Sequence, residues 1–280
     1  MKIIKAVPAH IDDLITYRAM PTSQIEHIDP FLFLNHHGPQ TYAPNNNGLP
    51  FGPHPHRGFE TVTFIIDGDV AHKDSGGGES VIKTGGIQWM TAGSGLLHAE
   101  VSSDQFLREG GKEEILQLWV NLPAVHKMTK PNYIGLQAED IPHIYKDDAK
   151  VDIHLISGTW GNEKAKIQSL GNINLSRIDL KETGTLKIDI PATDNIFFYV
   201  VRGTLKVNER KAGFRELVHF AEGTSSITVE ATEDSIILFG HATPFNEPIV
   251  AHGPFVMNSQ QEIMEAFNDF RSGKMGTWDS

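Results

Sequence analysis

Short runs of β-branched and aromatic residues recur along the chain, and turn-forming Gly, Pro, Asn and Asp separate them. Residues 61–66, 115–120, 151–156, 196–201 and 235–239 are clear instances. Runs of this kind suit a pleated, half-buried surface. Short strands punctuated by turn residues predict a sandwich or barrel. No strand–helix alternation is visible, which argues against a doubly wound parallel sheet. At 280 residues the chain has room for one large or two medium domains.

A faint internal repeat favours two. Residues 63–68, Thr-Phe-Ile-Ile-Asp-Gly, resemble residues 198–203, Phe-Tyr-Val-Val-Arg-Gly. Residues 87–93 resemble residues 217–223 in the same way. Each segment reads as a strand running into a glycine turn, and two copies of one barrel account for the length. The expected division is 1–135 for an N-terminal barrel. Residues 136–280 are expected to form a second barrel without metal, plus a C-terminal helix. For that helix, Ser259-Gln260-Gln261-Glu262 has the form of a capping box. Ile263, Phe267 and Phe270 follow as an apolar stripe, Arg271 falls in the last turn and Gly273 ends it. Packing against a barrel is its expected role.

Two stretches carry the chemistry. In Pro53-His54-Pro55-His56-Arg57-Gly58-Phe59-Glu60, residues two apart on an extended backbone face one side. His54 and His56 therefore present two imidazoles to one point, and Glu60 shares their parity if the strand continues without a bulge. The plain alternative is a pair of surface or core histidines. In Gly93-Ser94-Gly95-Leu96-Leu97-His98-Ala99-Glu100, His98 and Glu100 again share parity. Here the plain alternative is a strand with one buried His and one exposed Glu. Taken together, three imidazoles and a carboxylate make an N/O donor set suited to Fe, Mn, Ni, Co, Cu or Zn. An octahedral ion so bound keeps two positions open for chemistry.

The chain has no cysteine, so disulfides and thiolate ligands are excluded. The net charge of -11 argues against a partner bound through nucleic-acid phosphates. Residues 1–14 lack a sustained apolar run and carry Asp12 and Asp13, so no signal peptide or membrane span is expected. Cytoplasm is the expected location. His36 and His37 read as part of a solvated loop.

Aligning the two glycine turns sets Asp189 and Pro191 against His54 and His56, and Thr228 and Glu230 against His98 and Glu100. On that alignment the second barrel loses every histidine and should hold no transition metal. His143, His154, His219, His241 and His252 lie in this half, none paired two apart, and structural roles are expected for them.

The motifs resemble those of the pirin family. They are His54-Pro-His56-Arg-Gly-Phe-Glu60-Thr, Gln88-Trp-Met-Thr-Ala-Gly93, His98-Ala-Glu100 and Asn246-Glu-Pro-Ile-Val-Ala-His252-Gly-Pro-Phe-Val-Met-Asn258. The resemblance implies an all-β fold of two antiparallel cupin barrels with one metal, in the N-terminal barrel, on His54, His56, His98 and Glu100. Iron(II) is the ion expected, with Mn, Ni, Co, Cu and Zn as alternatives. Glu60 matches a ligand position of other cupins that pirins are not thought to use. It is expected outside the ligand set, or paired with Arg57. Asn35 stands where many pirins have Asp, which would give a ligand histidine a neutral, weaker acceptor.

The resemblance also implies an activity, the oxidative ring opening of a flavonol such as quercetin by O₂. Glu100 would serve as ligand and as catalytic proton acceptor. Phe51, Trp89, Met90 and Leu97 would wall a flat aromatic substrate. The competing reading is a metal-dependent regulator that binds a protein partner, such as a transcription factor. A third is a metal-bound relic without activity. Flavonol turnover separates the first reading from the others.

Overall fold

In a computed structural model of the protein, residues 1–278 are described. The chain is built of antiparallel sheet, as the punctuated β-runs predict. Each of the five runs lies inside a strand: Phe59–Asp67, Gly111–Asn121, Val151–Ser157, Asn195–Arg202 and Ser235–Ala242.

Two compact units divide the chain. One holds Pro8–Thr16, Leu32–Asp140 and Phe245–Ser280, and the other Met1–Val7, Tyr17–Phe31 and Ile141–Pro244. A single cut after residue 135 does not describe this, because both ends of the chain are exchanged. The strand Lys2–Lys5 pairs along Glu216–His219, satisfying backbone groups at that edge of the second unit's sheet. The C-terminal helix packs Ile263 and Ala266 against Phe255, Met257 and Met275, all in the first unit.

The two units repeat one topology. The first has a seven-stranded sheet and a four-stranded sheet. The large sheet runs Asn132–Leu136, Ile87–Thr91, Phe59–Asp67, Gly111–Asn121, Phe31–Tyr42, Leu14–Met20, Val7–Ile11. The small sheet runs Phe51–His56, Leu96–Val101, Asp69–Asp74, Glu79–Lys83. In the second unit the large sheet runs Lys2–Lys5, Glu216–His219, Asn195–Arg202, Ser235–Ala242, Asn174–Leu180, Val151–Ser157, His143–Lys146. Its small sheet runs Thr185–Asp189, Ser226–Ala231, Thr204–Val207, Arg210–Gly213. The sequence repeat maps onto matching strands, and Gly68 and Gly203 end them at φ of 92° and 80°.

The second barrel is filled by aliphatic side chains. Leu186, Ile188, Ile190, Ile227 and Val229 all point into its core. Asp189, Thr228 and Glu230, which the sequence alignment set against the metal ligands, sit on the opposite, exposed face. Glu230 meets Lys206 there at 3.1 Å. The alignment was therefore one residue out of register, and a slip of one moves every side chain to the other face. The interior lacks ligands because it is packed with hydrocarbon.

The C-terminal helix spans Gln260–Arg271 with Ser259 as its N-cap, accepting from the Glu262 amide. The Glu262 carboxylate accepts from the Asn258 amide and the Ser259 hydroxyl. Ile263 and Phe267 form the packed stripe, but Phe270 is 38% exposed and lies off it. Among the described residues, no helix is long and apolar enough to cross a membrane.

Candidate metal centre

His54 and His56 stand on the strand Phe51–His56, and His98 on its neighbour Leu96–Val101. The antiparallel register places His98 directly across from His54. The three imidazoles converge, one ring nitrogen from each lying within 4.8 Å of the others. Ring centroids are 4.4 Å apart for His54–His98, 4.8 Å for His54–His56 and 4.9 Å for His56–His98. His56 and His98 are buried, whereas His54 is only half-buried.

The ring nitrogens are arranged as ligands need. His54 Nδ1 donates to the Gly52 carbonyl at 2.7 Å, and His56 Nδ1 to the Pro254 carbonyl at 3.2 Å. Each bond fixes the proton on Nδ1 and leaves the Nε2 lone pair free, the outer hydrogen bond that metal-binding histidines use. His56 Nε2 is buried without a hydrogen-bond partner. His54 Nε2 and His98 Nε2 face each other at 3.0 Å. Two ligands at ~2.1 Å from one ion and at right angles to each other would be separated by about 3.0 Å. Burial pushes the His56 imidazolium down to about 3, and the charge His54 can carry adds to this. Burial does the same to His98, with His56, His54 and His72 contributing. Both rings are therefore neutral at physiological pH, the form that binds metal.

Glu100 follows His98 on the same strand and is buried, but it lies outside the three-histidine set. Its Oε1 accepts from the Thr63 hydroxyl at 2.6 Å and its Oε2 from the Gln117 amide at 2.6 Å. The Trp119 indole N–H donates to Gln117 Oε1 at 3.1 Å, which turns the Gln117 NH₂ toward Glu100.

Glu60 is elsewhere. The strand breaks at Arg57 and Gly58 and restarts at Phe59. Gly58 has φ of 86°, and a Cβ there would meet the Val256 carbonyl oxygen at 2.0 Å, so only glycine fits the turn. The break inverts parity. Phe59 and Thr63 face the histidines and Glu100, and Glu60 faces the other side of the sheet, where Thr91 donates to it at 2.6 Å. Burial raises its pKa, opposed by hydrogen bonds from Thr91 and Trp89. Arg57 does not pair with it. Arg57 instead binds Asp269 of the C-terminal helix at 2.9 Å and the Ser94 carbonyl at 2.8 Å.

Other expectations are corrected here. Trp89 shares the Glu60 face, and Leu97 alternates with His98, so neither walls the site. Met90 lies opposite Thr61, on the face that Phe59 and Thr63 share, and packs with Ala92, Leu96 and Tyr133. Phe51 packs against an aliphatic cluster and lies 5.2 Å from the His37 ring. Three further aromatic residues stand at the site. Phe59 and Trp119 lie 5.0 and 5.3 Å from His56, and Phe33 stacks on Trp119 at 4.6 Å. The alternation of Gln117 and Trp119 with the buried Leu116 and Leu118 is the sequence signal for two of the site residues that were overlooked.

His36 and His37 are buried, not solvated. His36 Nε2 meets Glu114 at 2.8 Å and His37 Nδ1 meets Thr16 Oγ1 at 2.8 Å. His72 was also overlooked. It lies across from Glu100, 5.4 Å from the His98 ring, with Tyr133 stacked on it at 3.8 Å. Asp74 holds its Nε2 at 2.8 Å.

Comparison with known proteins agrees with this architecture. A family model described as Pirin matches residues 13–120, and one described as Pirin C-terminal cupin domain matches residues 175–276. A pirin-like protein of Solanum lycopersicum is 34% identical over 98% of this chain and 91% of its own length. One from Caulobacter vibrioides is 34% identical over 98% of both chains. The crystal structure of a quercetin 2,3-dioxygenase from Acinetobacter baumannii superposes with a TM-score of 0.93 at 36% identity. That match covers 99% of this chain and 98% of the other.

Proposed function

The chain belongs to the pirin family, and we propose that it is a metal-dependent dioxygenase able to open flavonols such as quercetin with O₂. One observation carries this reading: three converging imidazoles, two of them holding the Nδ1 proton on a backbone carbonyl and so turning the Nε2 lone pair inward, beside a buried carboxylate and a half-open aromatic wall. The structural likeness to a quercetin 2,3-dioxygenase supports it. The proposed ligands are His54, His56, His98 and Glu100, and the proposed ion is iron(II). The donor set also suits Mn, Ni, Co, Cu and Zn.

Bound there, such an ion would supply Lewis acidity toward the flavonol oxygens, the flavonol itself being what O₂ oxidises. The side chains do the rest. Trp119 and Phe33 are half-buried and present flat apolar faces beside His56, where an aromatic substrate can lie. Glu100 is the catalytic proton acceptor for the flavonol hydroxyl. Thr63 and Gln117 hold both of its oxygens, so it stays oriented until one of them is exchanged for the site's occupant. Phe59, behind His56, keeps water from that side.

The test is elemental analysis of the purified protein together with quercetin oxidation under air. One ion per interior site and metal-dependent loss of quercetin absorbance are expected. A fully loaded protein that leaves quercetin and related flavonols intact would remove the dioxygenase reading and leave that of a regulator.

A further inference from the structure

On the sequence alone, the histidines of the second unit are unpaired. The fold pairs two of them across strands. In the sheet of that unit, His143 lies directly opposite His154, which in turn lies opposite Arg177. Asp152 lies between Tyr145 and Asp179. Val151, Ile153, Ile178 and Leu180 point into the aliphatic core, so His143, Asp152, His154, Arg177 and Asp179 share the opposite face.

There, one donor atom each from His143, Asp152 and His154 comes within 4.8 Å of the others. His143 Nδ1 is 3.0 Å from both Asp152 oxygens. His154 Nε2 is 3.4 Å from Asp152 Oδ2, and the two imidazole centroids are 4.2 Å apart. A second observation is independent of this clustering. His154 is 9% exposed, yet neither of its ring nitrogens has a hydrogen-bond partner. An unsatisfied buried imidazole is costly, so native folds seldom keep one without a partner or a ligand.

We infer that His143, Asp152 and His154 form a second cation site, on the outer face of the second barrel, for a divalent transition ion of the zinc type. Two imidazoles and one carboxylate are a borderline N/O set that such ions favour over calcium or magnesium. Asp179 is not counted as a ligand, because Arg177 grips it through two bonds at 2.7 and 2.6 Å. The guanidinium opposes a nearby cation, so this site is weaker than the interior one. Access is through His143, a third of whose side chain is exposed; Asp152 also borders a surface groove of about 410 Å³ that neither histidine lines. The site is separate from the cupin motif and independent of the dioxygenase reading.

The full chain, stripped with a chelator and dialysed against graded Zn²⁺, tests this by metal content. His143→Gln and His154→Gln should each bind one zinc fewer than wild type. His98→Gln should keep the outer zinc, so failure of the interior site and failure of this one give different patterns. His143 lies on an edge strand with a third of its side chain exposed, so its variant isolates ligation from folding. Metal-free melting temperatures of the variants within about 2 °C of wild type confirm an intact fold. If either variant keeps the wild-type zinc count, the inference is wrong.

Discussion

Matching strands of the two barrels have been put to opposite uses. In the first, the paired strands Phe51–His56 and Leu96–Val101 bury His56, His98 and Glu100 and half-bury His54. In the second, Thr185–Asp189 and Ser226–Ala231 turn Leu186, Ile188, Ile227 and Val229 inward and put their polar residues outside. The same topology can therefore carry either polar ligands or hydrocarbon in its interior. What differs is the solvation of the polar groups. Some buried groups of the first barrel meet a specific partner, as Glu100 does with Thr63 and Gln117, and others have none, as with His56 Nε2. The interior of the second barrel, lined by Leu186, Ile188, Ile227 and Val229, makes no such demand.

The comparison breaks first if the second barrel tolerates what the first requires. Val229→His places an imidazole among aliphatic side chains with no partner. It should lower stability by about 2–5 kcal/mol, read from the urea midpoint. A midpoint within error of wild type would mean that this interior accommodates polar groups, and that packing is not what separates the barrels.

The carboxylates sharpen it. Glu100→Gln removes a proposed ligand charge and should weaken metal retention by at least ~10–100-fold, with flavonol turnover falling in parallel. Glu60→Gln should leave both unchanged, since Glu60 faces the other side of the sheet. Competition with a chromophoric chelator measures each. Metal loss in Glu60→Gln with retention in Glu100→Gln would reverse the assignment.

The smallest effect concerns pH. The first barrel also buries Glu113, whose carboxyl oxygens lack hydrogen-bond partners. Burial pushes this group up to about 9, with Asp69 and Asp67 adding to the rise. A carboxyl raised in the folded state contributes its full stability below its unfolded pKa near 4.5. That contribution is lost as pH climbs toward 9. Glu113→Gln should therefore stabilise the protein at pH 8, on the order of 1–3 kcal/mol, and do nothing at pH 4. Denaturation of both proteins at the two pH values gives the difference. Equal differences at both would place the cause in packing instead of charge.

Much of this was legible in the chain. Alternation fixes which side of a strand a residue occupies, so His54 could be set beside His56, and His98 beside Glu100, from spacing, while the resemblance to pirins joined the two pairs. Alternation fails where the backbone turns. Gly58 inverts the parity of Glu60, and nothing local announces whether a strand runs through a glycine or stops at it. Burial of His36 and His37 was hidden for another reason. Their partners Glu114 and Thr16 lie 78 and 21 residues away. His143 and His154 were missed because their pairing depends on the register of two strands. The exchanged termini, Lys2–Lys5 and the C-terminal helix, are likewise matters of which edge or face was left uncovered.

The central claim is that a metal ion belongs inside the first barrel and not inside the second. Anomalous diffraction at the metal's absorption edge, on crystals of the loaded protein, tests it most directly. The account predicts a peak within about 2.0–2.3 Å of the ring nitrogens of His54, His56 and His98. It predicts none among Ile188, Ile227 and Val229. A peak in that aliphatic interior, or none among the three imidazoles, would contradict it.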